Sequence, residues 1–111
     1  MEQTEVRVAD DPAASRFEIT VDGALAGFAE YRLKGPEISF THTVIDPAFE
    51  GRGLGSTLVR AALDAARDAG LSVLPFCPFV QRYIQRHQEY LDLVSADRRA
   101  RFSLDGGEAA E

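Results

Sequence analysis

Residues 44–56 of the chain read VIDPAFEGRGLGS and carry three glycines at alternate positions, Gly51, Gly53 and Gly55. Glycine lets a backbone turn sharply and bring its N–H groups close to a ligand. The residues that follow have helical spacing, and the start of a helix offers unpaired N–H donors and the positive end of the helix dipole. The stretch therefore predicts a loop between a strand and a helix that suits an anion such as a pyrophosphate.

The spacing of the glycines argues against two common nucleotide-binding loops. A Walker loop needs the pattern GxxxxGK[ST], and the only lysine of the chain is Lys34. The dinucleotide fingerprint GxGxxG follows the first strand of a parallel unit, whereas GxGxG here follows a segment that reads as antiparallel hairpins. A tight turn that binds no ligand stays open as an alternative for this loop.

The residues on either side of the loop predict strands before it and a helix after it. Apolar residues recur at intervals of three and four from Leu54 to Ala69, most of them alanines, and Gly70 follows where a helix commonly ends. Before the loop, residues 17–21 alternate in polarity and Asp22-Gly23 favours a hairpin turn into a strand at about 25–33. Alternation then predicts a strand whose apolar face carries Ile38, Phe40, His42 and Val44.

The second half of the chain predicts one more strand and one more helix. Residues 71–76 form a short apolar run, and a strand reached directly from a helix usually lies parallel to an earlier strand. Pro78 suits the first turn of a helix, and helical spacing continues to Val94 with a possible interruption at Gln88-Glu89. The predicted fold class is α/β of the α+β type, with a mostly antiparallel sheet, one parallel strand pair and two main helices.

Length, composition and charge exclude several classes of protein. The chain has 111 residues, 45% of them hydrophobic, which predicts a single domain, at residues 1–102. Residues 103–111 are small, acidic and without periodicity, which predicts a disordered tail. Its net charge of -6 argues against nucleic-acid and anionic-membrane partners. A single cysteine, Cys77, excludes an internal disulfide and cannot by itself supply a thiolate metal site. Without a membrane-length apolar run or a signal peptide, we expect a soluble, cytoplasmic protein.

Two segments together resemble a known family. Residues 50–55, EGRGLG, resemble the central motif of the GNAT superfamily of acetyl-coenzyme A-dependent N-acetyltransferases, although Glu50 stands where Gln or Arg is usual. Residues 74–80, LPFCPFV, with Tyr83 and residues 87–90, HQEY, resemble a small GNAT-like family of minimal single domains with a cysteine before the last helices. The resemblance covers roughly residues 6–94.

This resemblance implies a donor, a cofactor site and a reaction. The donor would be acetyl-coenzyme A, with no metal, and the acceptor an amine on a small molecule, a protein lysine or a protein N-terminus. Parallel strands that separate beside the loop would admit the pantetheine. The acceptor groove would be open, or it would be completed by a second copy in a homodimer or by a protein substrate. A coenzyme A-binding module without turnover is the alternative. The implied cofactor-binding residues are Val44, Ile45, Gly51, Arg52, Gly53, Leu54, Gly55 and Ser56.

Three residues are candidates for the chemistry of acetyl transfer, and each has a structural alternative. Cys77 lies at the expected start of a helix, where the dipole favours a thiolate, so it could act as a nucleophile or lie next to the coenzyme. The alternative is that a lone cysteine is a small buried hydrophobe. His42 could accept the amine proton or be a core histidine paired with the backbone. Tyr83, or His87 beside it, could protonate the leaving thiolate, although Tyr83 also fits a packing stripe.

A basic cluster near the end of the chain is the last candidate. Arg98, Arg99 and Arg101 could reach the 3′-phosphate of coenzyme A, or they could form a solvated helix end.

Overall fold

In the computed structural model, which describes residues 4–104, five strands form one sheet in chain order. Successive strands from the first to the fourth pair antiparallel, and the fifth pairs parallel with the fourth. The turn after the second strand has positive φ at Asp22 and Gly23, as a tight hairpin requires. The strands are β1 (Val6–Asp11), β2 (Arg16–Val21), β3 (Ala24–Lys34), β4 (Glu37–Ile45) and β5 (Ser72–Pro75).

Two main helices connect and follow the last strands. Helix α1 (Leu54–Asp68) joins β4 to β5, and helix α2 (Pro78–Arg86) follows β5. The second helical segment is interrupted as predicted, because α2 ends before a separate 3₁₀ turn at Gln88–Leu93. The mostly antiparallel sheet, the parallel β4–β5 pair and the two main helices confirm the predicted fold class. Shorter 3₁₀ turns lie at Pro47–Phe49, Ala96–Arg98 and Ala100–Phe102.

The end of α1 shows how the local sequence shapes this connection. Gly70 has a φ of +71°, and its N–H donates to the carbonyl of Arg67 at 3.0 Å. The N–H of Leu71 donates to the carbonyl of Ala66 at 2.9 Å, which completes a Schellman motif. The chain therefore turns directly from the helix into β5, as Gly70 predicted.

The core lies between the sheet and the apolar faces of the two helices. Helix α1 contacts β2, β3, β4 and β5, and its buried face includes Leu58, Ala62 and Leu63. This face is less rich in alanine than the sequence pattern predicts, because Val59 and Leu63 are buried on it and Ala69 is exposed. Of the segment predicted to be a tail, Ser103 and Leu104 are described, and the Leu104 side chain is buried in the core. The rest of that segment, residues 105–111, lies outside the described residues.

A bulge in β4 changes which side chains face the helices. Tyr31 pairs with Phe40 and Glu30 pairs with His42, so Thr41 is an extra residue on β4. Phe40 is buried, whereas both Thr41 and His42 are exposed. The expectation that His42 shares the apolar face of Phe40 is therefore wrong, because the bulge reverses the alternation after Phe40.

The parallel pair of β4 and β5 is short. It extends from Glu37 opposite Ser72 to Phe40 opposite Pro75, where β5 ends. The N–H of Cys77 still donates to the carbonyl of Phe40 at 2.9 Å, after which the chain enters α2. Residues 41–45 of β4 thus continue beyond the end of β5, and a gap opens between β4 and the start of α2.

Candidate active site

The loop between β4 and α1 has the backbone conformation that its glycines allow. Gly51 and Gly53 have φ angles of +85° and +73°, a backbone conformation that residues other than glycine rarely adopt. Asp46 stabilises the preceding turn, because its Oδ1 accepts from the Ala48 N–H at 2.9 Å. Gly53 is the N-cap residue of α1, so the loop delivers the chain directly into the helix.

The start of α1 presents free N–H groups to this loop. The first backbone hydrogen bond of the helix runs from the Thr57 N–H to the Gly53 carbonyl at 3.2 Å. Among the described residues, the N–H groups of Leu54, Gly55 and Ser56 have no backbone acceptor, as expected for the first turn of a helix. These donors and the helix dipole make the helix start suitable for an anion.

A cavity of about 370 Å³ opens beside these donors. It runs from the start of α1 to the gap beside β4, and Phe79 of α2 forms its other wall. Six of the residues predicted to bind the cofactor line it, while Val44 and Arg52 do not. The lining residues are Thr43, Ile45, Phe49, Glu50, Gly51, Gly53, Leu54, Gly55, Ser56 and Phe79.

The positions of Val44 and Arg52 explain why neither residue lines the cavity. Val44 follows Thr43 in β4, and adjacent strand residues point to opposite faces of a sheet. Arg52 lies with its guanidinium 5.4 Å from the centre of the Phe49 ring. The Arg52 side chain lines a different cavity, together with Val6 and Val21.

Sequence reasoning missed four of the lining residues. Phe49 and Glu50 adjoin the glycine motif and could have been included on that ground. Thr43 reaches the cavity only because of the bulge at Thr41, and Phe79 only because α2 packs against α1. No pattern in the sequence indicates either of those two placements.

The edge of β4 that faces the gap carries free backbone donors. The N–H of Asp46 donates to the carbonyl of Ala26 at 2.7 Å, on the β3 side. Donors alternate along an antiparallel strand, so the N–H groups of Thr43 and Ile45 point to the opposite side. On that side β5 has already ended. Two backbone N–H groups therefore face the gap without a partner strand.

Cys77 contacts Thr43 of the cavity wall but does not itself line the cavity. It is the N-cap residue of α2, its side chain is 4% exposed, and it is a free thiol. Its Sγ donates a hydrogen bond to Thr43 Oγ1 at 3.4 Å. The structure thus brings the cysteine predicted at a helix start into contact with the end of β4.

Tyr83 and His42 lie apart from Cys77. Tyr83 stacks on His87 with ring centres 4.0 Å apart, and the Tyr83 carbonyl accepts from His87 Nδ1 at 2.9 Å. Burial raises the pKa of the Tyr83 phenol above its usual value. Both rings line a second cavity that shares Ser56 and Phe79 with the first. His42 is exposed on β4, on the face opposite Thr43.

The basic cluster at the end of the described chain is remote from the loop. Arg98 forms an ion pair with Glu37 at 3.1 Å, and Arg99 Nε donates to the Val94 carbonyl at 2.9 Å. Arg101 lies over the ring of Phe76 at 5.2 Å. Glu37 begins β4 whereas the loop follows its end, a separation of about 26 Å along the strand. These arginines are therefore structural or solvated and do not line the cavity.

No cluster of three or more His, Cys, Asp or Glu residues suitable for a metal ion was found within residues 4–104. In the same part of the chain, none of the helices has the length and apolar character needed to cross a membrane.

The fold of the GNAT superfamily combines a mostly antiparallel sheet with one parallel strand pair that separates. A glycine loop opens on the gap between those two strands. A family model described as GCN5-related N-acetyl-transferase matches residues 16–93, and the chain belongs to this family. An NMR structure of a Staphylococcus aureus protein described as GCN5-like superposes with a TM-score of 0.61 at 23% identity. The match covers 86% of this chain and 91% of that chain, and it shows the same fold.

Named relatives match at low to moderate identity. The chain is 35% identical over 66 residues to "Probable glucosamine 6-phosphate N-acetyltransferase 2" of Oryza sativa subsp. japonica, a match covering 59% of this chain. It spans only 40% of the length of that protein. It is 28% identical over 91 residues to Protein NATD1 of Mus musculus, covering 78% of this chain and 83% of that protein.

Proposed function

We propose that this protein transfers the acetyl group of acetyl-coenzyme A to the nitrogen of an amine acceptor. The observation that carries the proposal is a single cavity that contacts two groups of free backbone N–H donors. At one end are the N–H groups that start α1, and at the other are the N–H groups of Thr43 and Ile45. This spacing of donors suits an extended thioester with a pyrophosphate at one end and amides near the other.

The described residues fit coenzyme A at each part of the cavity. The N–H groups of Leu54, Gly55 and Ser56 would hold the pyrophosphate, and positive φ angles at Gly51 and Gly53 keep the loop backbone close to it. The free N–H group of Ile45, next to the loop, would take the place of a strand partner for a pantetheine amide. Ile45 and Phe79 supply apolar walls.

Bound there, the thioester supplies an activated acetyl group, whose carbon–sulfur bond breaks as the carbon–nitrogen bond forms. The Thr43 N–H, which points into the gap beside Cys77, would polarise the carbonyl oxygen. The Cys77 Sγ–H would supply the proton that the leaving sulfur needs, since it lies beside Thr43 at the same gap. His42, exposed on the outer face of β4, would accept the proton released by the amine nitrogen of an acceptor that enters the gap from that face.

The acceptor class is an amine on a small molecule or a protein. The net charge of -6 suits a cationic acceptor, because opposite charge raises the rate of encounter. We place the reaction in the cytoplasm, the compartment in which an unpaired thiol such as that of Cys77 stays reduced. A panel of polyamines, amino acids, lysine peptides and glucosamine 6-phosphate covers the acceptor chemistries in question.

Thermal unfolding with and without acetyl-coenzyme A tests the donor site. A ligand at one hundred times its dissociation constant stabilises by about 2.7 kcal/mol. For a domain of this size, we expect the melting temperature to rise by about 10 °C. An unchanged melting temperature at millimolar acetyl-coenzyme A would contradict the proposal.

Release of free thiol over the acceptor panel then separates an enzyme from a binding module. We expect acceptor-dependent thiol release, and donor binding without release on any acceptor would favour the module. His42→Gln should lower kcat on a confirmed acceptor and leave the donor affinity unchanged. Full activity in His42→Gln would remove His42 from the reaction.

A further inference from the structure

A second cavity adjoins the proposed pyrophosphate site and has a different character. It measures about 70 Å³, and Ser56 and Phe79 belong to its wall and to that of the first cavity. The rest of its wall comes from α2 and the residue that follows it, namely Arg82, Tyr83, Arg86 and His87. A group held here would therefore lie one side chain away from a group at the start of α1.

The charges around this second cavity are positive although the protein as a whole is acidic. Arg82 and Arg86 are exposed, and their spacing of four residues places them on the same face of α2. Neither guanidinium forms an ion pair within residues 4–104. Arg60 of α1 is close enough to act on the Tyr83 phenol as a further positive charge.

The acidic groups near this cavity are fewer and one of them is engaged. Asp64 and Glu89 also act on the Tyr83 phenol. Asp64 Oδ1, however, accepts from the Tyr90 hydroxyl at 2.7 Å, so this carboxylate already has a partner. His87 Nδ1 is occupied by the Tyr83 carbonyl, so Nε2 is the ring nitrogen left for a ligand.

We infer that this second cavity binds a phosphate monoester, the 3′-phosphate of coenzyme A, through the guanidinium groups of Arg82 and Arg86. The inference rests on the proposed function, because the 3′-phosphate is one ribose away from the pyrophosphate assigned to the start of α1. Arginine forms paired, charge-assisted hydrogen bonds with phosphate oxygens, and two arginines one helical turn apart can reach the same phosphate. Contact with the 3′-phosphate, which the sequence suggested for Arg98, Arg99 and Arg101, is thus assigned to Arg82 and Arg86.

The test compares acetyl-coenzyme A with acetyl-3′-dephospho-coenzyme A by calorimetric titration. We expect the unmodified protein to bind acetyl-coenzyme A at least about tenfold more tightly, as charged hydrogen bonds of this kind contribute. In Arg82→Gln/Arg86→Gln the ratio of the two affinities should fall to about one, with the affinity for the dephospho donor unchanged. Arg98→Gln/Arg101→Gln removes the same charge elsewhere and should keep the ratio of the unmodified protein.

Each other outcome overturns the inference in a recognisable way. Equal affinity of the unmodified protein for the two donors, or a ratio that survives in Arg82→Gln/Arg86→Gln, excludes a 3′-phosphate site there. Equal weakening of both donors in that variant would show a structural role for the arginines, and circular dichroism checks that it folds. A raised KM for glucosamine 6-phosphate with an unchanged donor ratio would assign the cavity to a phosphorylated acceptor. No binding of either donor by the unmodified protein would overturn the proposed function itself.

Discussion

The thiol of Cys77 donates a hydrogen bond to Thr43 Oγ1 at 3.4 Å, across 34 residues of sequence. Two features produce this contact. The bulge at Thr41 turns Thr43 towards the helices, and the end of β5 at Pro75 brings the start of α2 beside β4. The pair therefore lies where the proposed donor thioester would end.

Replacing Cys77 tests whether this thiol takes part in the reaction. We expect Cys77→Ala to lower kcat by about 10²-fold, as loss of a general acid does, with the affinity for acetyl-coenzyme A unchanged. Cys77→Ser keeps a hydroxyl that can donate to Thr43 and should retain more activity. Steady-state thiol release measures kcat, and calorimetric titration measures the affinity. Full kcat in Cys77→Ala would show that Cys77 only packs in the core.

Because Gly55 lies against the Phe79 ring, a larger residue at position 55 should clash with that ring, and shortening Phe79 should relieve the clash. A Cβ at Gly55 would lie 2.7 Å from Phe79 Cζ, so Gly55→Ala should push the Phe79 ring out of the wall shared by both cavities. Overpacking of this kind costs about 1–3 kcal/mol, measurable as a lower free energy of unfolding in urea. Adding Phe79→Ala should make the Gly55→Ala change nearly neutral. Ser56→Ala, at an exposed neighbour, is the control, and an equal cost with and without Phe79 would exclude the clash.

Glu50 places a carboxylate in the wall of the cavity next to the proposed pyrophosphate site. At an exposed site a nearby like charge costs about 1 kcal/mol, so Glu50→Gln should tighten acetyl-coenzyme A binding about fivefold. The gain should shrink as salt is added, because exposed charges are screened. Asp68→Asn, at the other end of α1, removes one negative charge and should leave the affinity unchanged. Weaker binding in Glu50→Gln would indicate that Glu50 contributes a contact to the donor.

Two buried tyrosines predict a loss of stability at high pH. Burial, together with hydrogen bonds to Asp10 and Asp64, raises the pKa of Tyr31 and of Tyr90 from 10.0 to about 12. The unfolded chain then loses these protons at lower pH than the folded chain, so stability is full below pH 10 and falls between pH 10 and pH 12. Urea unfolding measured across that range checks the slope.

Removing the hydroxyls provides the control for this pH dependence. Tyr31→Phe/Tyr90→Phe should be less stable at neutral pH, because both hydrogen bonds are lost, but its stability should fall less between pH 10 and pH 12. An equally steep fall in this variant would assign the pH dependence to other groups.

The sequence alone determined β2 to β5, the two main helices and the order in which they join. Alternation from Phe17, the Asp22-Gly23 pair, the glycines before α1 and Gly70 after it are local signals, because each depends on the conformation of a few adjacent residues. The interruption after α2 and the parallel return of β5 were read in the same way. The family resemblance rested on the same contiguous residues and agrees with the match at residues 16–93.

Only the tertiary structure decided which side chains meet at the candidate site. Alternation predicts a face only while the register is unbroken, and nothing in the sequence marks Thr41 as the extra residue that moves His42 out and Thr43 in. Phe79 reaches the glycine loop, and Arg82 and Arg86 lie beside it, because α2 packs against α1 after a strand and a helix have intervened. Arg98, by contrast, forms an ion pair with Glu37 at the far end of β4. Such contacts join residues distant in the chain, so packing decides them and local patterns do not.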